Sequence, residues 1–337
     1  MSEILTPESR VLVTGPTSFL GYHVTKCLNK RGIRPRVLVP QGTDTSALQG
    51  LNVEIFEGTV EDETSLRAAC EKINTVFHLS FLVGLSKALE NQMREFNVGG
   101  TRRLLDVAAN AGITQAVITS SSLAVGVNRN PQALDETADW DTHHFDLVYA
   151  LTRRQAEQEA LARSSPGFSV IAVNPSFTMG PEDYVGAPAN KLLQAVAAGK
   201  LPVVFTVGFG CLDVRDFAEG MLLAAERGRP GQRYLLNGHN VMVEELLKQV
   251  ASIAGVKPPR WHLPIWVAHV IVAILNTAKT ITGKPPSITR DTLQILGRYA
   301  WYDTTRAQQE LGWKPRPLRE TLEDTLNWLS QNKTQRS

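Results

Sequence analysis

Cysteine is scarce in this chain of 337 residues: Cys27, Cys70 and Cys211, odd in number and far apart. That pattern excludes a disulfide framework and a cysteine-built metal cluster, and it suits a reducing compartment such as the cytoplasm. No metal site is expected. Charge of one sign is also lacking. The net charge is +2 with no long Lys/Arg run, so no electrostatic footprint for nucleic acid exists. No apolar run reaches the ~20 residues that span a bilayer. The longest candidate is Pro264-IWVAHVIVAIL-Asn276. It reads as a buried helix, or as a helix lining a greasy pocket or resting on a membrane surface as a peripheral contact through 264–276. The first residues, MSEILTPESR, are polar and do not read as a secretory signal. There is no internal repeat and no low-complexity segment.

What is present is an alternation of short apolar runs and helical periods. Strands are expected at Val11–Thr14, Val37–Val39, Val53–Phe56, Thr75–Leu79, Ala116–Thr119 and Ser169–Val173. Helices are expected at Phe19–Lys30, Glu63–Lys72, Leu85–Ala111 and Asp146–Arg163. Fully apolar strands separated by helices imply a parallel sheet covered on both faces, and right-handed crossovers make it doubly wound. The fold class is therefore α/β, a Rossmann-type doubly wound parallel sheet with a smaller helix-rich C-terminal part. The expected division is 1–175 for dinucleotide binding, also receiving parts of 208–235. Residues 176–331 are mainly substrate-binding and interleaved, and 332–337 form a frayed tail.

Three stretches carry chemistry. RVLVTGPTSFLG, Arg10–Gly21, is a strand that breaks into a glycine turn and opens a helix. Gly15 suits the tight turn and Gly21 a close helix–sheet approach, while the helix N-terminus favours a pyrophosphate. Ser18 stands where such loops usually carry a middle glycine, so its hydroxyl either bonds a phosphate oxygen or marks a loop without its nucleotide. In LVYALTRRQAEQEAL, Leu147–Leu161, Tyr149 and Arg153 share a helix face. A cation at ~4 Å would stabilise a phenolate by about 4 kcal/mol, enough to draw Tyr149 toward neutral pH as an acid/base. VITSSSLAVG, Val117–Gly126, places hydroxyls at a strand's C-terminal end, where open α/β sheets bind ligands.

With FNVGGTRRLLDVA (Phe96–Ala108), VNPSFTMGP (Val173–Pro181), VRDFAEGMLLAAERG (Val214–Gly228) and the LGWKPRPLRETLEDTLNWL tail, these stretches follow in the order of a known family. Over nearly its whole length the chain resembles extended short-chain dehydrogenases/reductases of the NAD-dependent epimerase/dehydratase type. It looks closest to the dihydroflavonol-reductase and 3β-hydroxysteroid-dehydrogenase-like branch. The resemblance implies NADP or NAD, NADP favoured, a small-molecule substrate and a homodimer through a four-helix contact of 85–111 and 146–163. It implies that Ser121 orients the substrate oxygen, Tyr149 is the acid/base, Arg153 stands for the family's lysine, and Asn97 holds a helix kink. Gly15, Thr17, Ser18, Phe19, Leu20 and Gly21 would line the phosphates. Pro40, Thr59, Val60, Leu79, Ser80 and Phe81 would line the rest of the nucleotide. Asn174, Pro175 and Ser176 would lie by the nicotinamide. Several of these depart from the family's pattern: Ser18 for glycine, Pro40 for a charged residue, Thr59 for aspartate, bulky Phe81 for a small residue and Arg153 for lysine.

Three readings follow. One is a ketone reductase or alcohol dehydrogenase on a fairly hydrophobic substrate. A second is a sugar-nucleotide epimerase or dehydratase, with Lys191, Lys200 and Arg233 as candidate diphosphate cations. The third is a non-redox enzyme or ligand-binding protein on the same scaffold.

Overall fold

The computed structural model describes residues 5–84, 87–201, 203–205, 207–259, 261–263, 267, 294 and 297–333. The apolar segment 264–276 therefore lies outside the described residues except for Val267.

Strands β1 (Val11–Thr14), β2 (Arg36–Val39), β3 (Glu54–Glu57), β4 (Thr75–His78), β5 (Gln115–Thr119) and β6 (Ser169–Pro175) alternate with helices α1 (Phe19–Lys30), α2 (Glu63–Ala69), α3 (Glu90–Met93), α4 (Gly100–Asn110), α5 (Trp140–His143) and α6 (Val148–Leu161). After β7 (Phe177–Met179), α7 (Pro188–Ala197), β8 (Val203–Phe205), β9 (Gly208–Asp213) and α8 (Val214–Arg227), the strand β10 (Arg233–Leu236) returns to the large sheet. Then come β11 (His239–Met242), α9 (Val243–Ile253), β12 (Trp261–Leu263), β13 (Tyr299–Ala300) and α10 (Leu318–Lys333).

The large sheet has seven parallel strands in the order β10-β6-β5-β4-β1-β2-β3. Its central strands are buried on both faces, as β1, VLVT, and β5, QAVIT, show. One face is covered by Tyr22, Val24 and Leu28 of α1 together with Phe217, Met221 and Leu222 of α8. The other is covered by Leu66 of α2 and Leu104, Leu105 and Ala108 of α4. The edge strand β3 reads EIFE and is largely exposed, its carboxylates discouraging pairing with another sheet. Chain order reverses between β1 and β4, so a crevice opens at their C-terminal ends, the usual ligand position in such sheets. A separate core of Leu193, Val196, Leu246, Leu247, Val250 and Leu322 joins α7, α9 and α10.

Strand and helix ends differ from the sequence reading by a few residues, with three larger corrections. The expected long helix region over 85–111 carries an insertion: α3 runs through a π-helical turn, Arg94–Gly99, into α4, with Asn97 inside that turn. Apolar periodicity does not register one inserted residue in a helix. The helix from Glu63 stops at Ala69, and Lys72 takes φ 61° in the turn beyond it. The C-terminal helix continues through Lys333, so Asn332 is helical, with its side chain donating to the Trp328 carbonyl at 2.9 Å.

Candidate functional site

The glycine loop comes first. Gly15 takes φ +67°, and a Cβ there would meet the Leu79 carbonyl oxygen at 2.7 Å. A Cβ on Gly21 would meet the Gly15 carbonyl oxygen at 1.9 Å. Both glycines are thus required by backbone packing, β1 against the β4 end and α1 against its own loop. Ser18 is the N-cap of α1. Its Oγ accepts from the Gly21 N–H at 3.0 Å and donates to the Gly15 carbonyl at 2.7 Å. Of the two alternatives for Ser18, the phosphate-donating one is not the arrangement seen: the hydroxyl is turned back into the loop, its proton already bonded. Ser18→Ala is expected to lower stability by about 1 kcal/mol through loss of this cap. A melting temperature equal to wild type would show the cap to be dispensable.

The β4 end is held by Thr14, whose Oγ1 accepts from the backbone N–H groups of Leu79 at 3.2 Å and Ser80 at 3.3 Å. Val60 is buried against Gly100 of α4, while Pro40 is exposed beyond β2. Thr59 lies in the turn that opens α2, its backbone N–H donating to Ser65 Oγ at 3.3 Å. Thr17, Leu20 and Ser80 are half-buried; Phe19, Leu79 and Pro175 are buried. Ser176, also buried, donates its N–H to the Leu236 carbonyl at 3.0 Å, and its hydroxyl has no hydrogen-bond partner.

Ser121, Tyr149, Arg153 and Asn97 converge above β5. Ser121 sits two residues past that strand and caps a short 3-10 turn, its Oγ accepting from the Leu123 N–H at 3.2 Å. Its hydroxyl also lies near enough to the Tyr149 phenol to favour the phenolate. Tyr149 enters from the first turn of α6, beside a cluster that includes Val125, Phe145 and Leu147. Burial raises its pKa above the usual 10, and the Arg153 charge and the Ser121 hydroxyl only partly oppose that. This corrects the expectation of a phenol drawn down toward neutrality: Arg153 is close, but desolvation of the anion outweighs it.

Arg153 is 2% exposed. One guanidinium nitrogen, Nη2, donates to the Thr119 carbonyl. Its Cζ lies over the Phe81 ring, 4.6 Å from the centroid. Nε and Nη1 have no hydrogen-bond partner. Asn97 is fully buried in the π-turn. Its Oδ1 accepts from the Leu82 N–H at 2.7 Å, and its Nδ2 donates to the Leu82 carbonyl at 3.0 Å and to Thr152 Oγ1 at 3.2 Å.

Sequence reasoning missed what stands behind Ser121. Asn174 of β6 donates through Nδ2 to the Ser121 carbonyl at 3.0 Å and to Glu157 Oε2 at 2.5 Å. Glu157 is 1% exposed and also pairs with Arg233 at 3.1 Å. Glu157 follows Tyr149 and Arg153 along α6 at four-residue steps, and that spacing was the available signal. Arg233 is corrected as a free cation: besides Glu157, it donates to the Glu136 carbonyl at 2.6 and 3.0 Å. Lys191 and Lys200 are exposed. Among the described residues no group of three or more His, Cys, Asp or Glu could hold a metal ion, and no helix is long and apolar enough to cross a membrane.

The family model for the NAD dependent epimerase/dehydratase family matches residues 11–236. A putative dihydroflavonol 4-reductase of Synechocystis sp. is 29% identical over 324 residues, covering 95% of this chain and 94% of that protein. A 3β-hydroxysteroid dehydrogenase/Δ5→4-isomerase of Mycobacterium tuberculosis is 27% identical over 331 residues, covering 93% and 88%. Among solved structures, gox2253 superposes with a TM-score of 0.84 at 33% identity, covering 96% of this chain and 99% of that one. UDP-glucose 4-epimerase of Thermotoga maritima, bound to UDP-glucose, superposes with a TM-score of 0.75 at 20% identity, covering 96% and 99%. The last is a likeness of fold alone.

Proposed function

The chain belongs to the NAD-dependent epimerase/dehydratase family, and from that premise we propose that it is a reductase of a ketone, or dehydrogenase of the matching secondary alcohol, using NADP(H) or NAD(H). The proposed substrate is a fairly hydrophobic small molecule. The single observation that carries this reading is the meeting of Ser121, Tyr149 and Arg153 at the open end of β5. The names of the relatives, reductases and steroid dehydrogenases, support the substrate class.

The residues fit a dinucleotide. Arg153 keeps two buried donor nitrogens without partners, and Ser176 keeps a buried hydroxyl in the same condition. Buried donors without acceptors are costly, and the hydroxyl oxygens of a ribose would satisfy them. Gly15, Thr17, Phe19, Leu20 and Gly21 would take the pyrophosphate at the N-terminus of α1. Arg153, Pro175 and Ser176 would hold the nicotinamide end. When bound, the reduced cofactor supplies a hydride. The protein's part is to place the carbonyl oxygen between the Ser121 hydroxyl and the Tyr149 phenol, and to deliver the phenolic proton to it. The Arg153 charge then steadies the phenolate that remains.

The β2 loop offers no cation for a 2′-phosphate, and its acid, Asp44, accepts the Ser46 N–H at 2.8 Å. The choice between NADP and NAD therefore falls to direct titration. A homodimer is also proposed, through the outer faces of α4 and α6, which are braced by the Arg102–Glu159 and Arg163–Asp106 ion pairs.

The test is titration of the purified protein with NADPH, NADH, NADP+ and NAD+ by calorimetry, followed by a screen of ketones with whichever binds. Dissociation constants below about 100 µM, about −5 to −6 kcal/mol, with turnover of an apolar ketone, are the expected result. Folded, nucleotide-free protein that binds none of the four would overturn the reading.

A further inference from the structure

We propose that Phe81 is a positioning residue for Arg153: the ring and the guanidinium form one unit that keeps the Nε and Nη1 hydrogens turned toward acceptor oxygens of a bound ligand. The inference rests on the reading above for its ligand, a dinucleotide, but the pairing itself stands on geometry.

The contact between the two residues carries the argument. A buried guanidinium can lie flat on an aromatic ring and gain from it. Here Cζ lies 4.6 Å from the Phe81 centroid while Nη2 holds the Thr119 carbonyl. Held over Phe81 through Cζ and tied at Nη2 to β5, the group has little freedom left, which sets the orientation of its two unpartnered nitrogens. A lysine ammonium has no plane to stack and needs its three donors satisfied in other directions. A small residue at position 81 would leave the guanidinium face unsupported.

The two partners also share one anchor. Asn97 holds the backbone of Leu82, next to Phe81, through both its N–H and its carbonyl, and the same side chain bonds Thr152, next to Arg153. The π-turn that carries Asn97 therefore sets the distance between the ring-bearing segment and α6. Such turns recur at functional positions in helices.

The experiment is a double-mutant cycle of Phe81→Ala, Arg153→Lys and the double variant, read twice: by thermal melting without nucleotide, and by calorimetric titration with NADPH and NADH. Phe81→Leu and Phe81→Tyr separate packing volume from aromatic stacking. Each single change in the cycle is expected to weaken nucleotide binding roughly tenfold, the order of coupling found for residues in contact. The double variant is expected to bind no more weakly than either single one, because either change already breaks the unit. Phe81→Tyr retains binding and Phe81→Leu loses it. Melting shifts that simply add overturn the proposal, as does a titration in which the double variant is weaker than either single one. If wild type binds no nucleotide but the melting cycle is non-additive, the pair stands and the dinucleotide reading falls.

Discussion

Tyr149→Phe is expected to lower turnover of a ketone by roughly 10²–10⁴-fold, the range for losing a positioned general acid. Stability is expected to stay within about 1 kcal/mol of wild type, because only one hydroxyl is removed and Ser121 keeps its Leu123 N–H partner. The direction of the phenol's pKa adds a second expectation. Burial holds it above the usual 10, so the proton needed for reduction is in place throughout the neutral range. The kcat/KM for reduction should be flat with pH from 6 to 9. Alcohol oxidation needs the phenolate, and its rate should climb with pH across that window. Profiles of kcat/KM in both directions decide this. A reduction rate that falls as pH rises through 7 would mean that the phenol ionises there, and undiminished turnover in Tyr149→Phe would remove the residue from the mechanism.

Acid is expected to destabilise this protein well before its carboxylates titrate. His78 and His23 are buried, and desolvation lowers their pKa values to about 3 and about 4. The hydrogen bonds show why His78 refuses a second proton. Thr101 Oγ1 gives its hydrogen to the Asn97 carbonyl at 2.7 Å, so it accepts from His78 Nε2 at 2.9 Å. Thr14 Oγ1 already accepts from two backbone N–H groups, so its hydrogen goes to His78 Nδ1 at 2.7 Å. A protonated ring would present a donor to a donor. The unfolded chain binds these protons at about pH 6.5 and the folded chain does not, so the unfolded state binds more protons below that value. Stability from both groups is complete above pH 6.5 and falls as pH drops toward 4. Between 6.5 and 5 the loss is about 1.5 kcal/mol for each ring and about 3 kcal/mol together. For a chain of 337 residues that corresponds to a fall in melting temperature of about 5 °C. His78→Gln should shrink the slope, from a lower starting stability. A wild-type melting temperature unchanged from pH 7 to 5 would show that the rings are solvated.

The large sheet was readable because β-branched, fully apolar runs such as VLVT announce strands buried on both faces. Ser121, Tyr149 and Arg153 were readable as members of a site because strand end and helix face are local properties. The state of the site was not. Whether Tyr149 feels its cation or its burial more is a sum over surroundings that spacing does not carry. Ser18 shows a different gap. Its place one residue before a helix is ordinary N-cap chemistry, but the glycine pattern invited comparison with a phosphate contact instead. Phe81 and Arg153 each looked like a defect when read alone. Only the fold, which brings the end of β4 against α6, turns two departures into one contact.

The return of β10 to the large sheet bears on how this chain is made. Strand β6 pairs with β5 on one side and with β10 on the other, and β10 is translated only after β7, α7, β8, β9 and α8. Until residue 236 has left the ribosome, β6 stands as an open, apolar edge, the kind of surface that pairs with neighbouring chains. Closing that edge joins segments far apart in sequence and is slow for that reason. A fragment cut at residue 175 would keep the glycine loop, Ser121, Tyr149 and Arg153, and would still lack the strand and the α8 cover that make its sheet soluble.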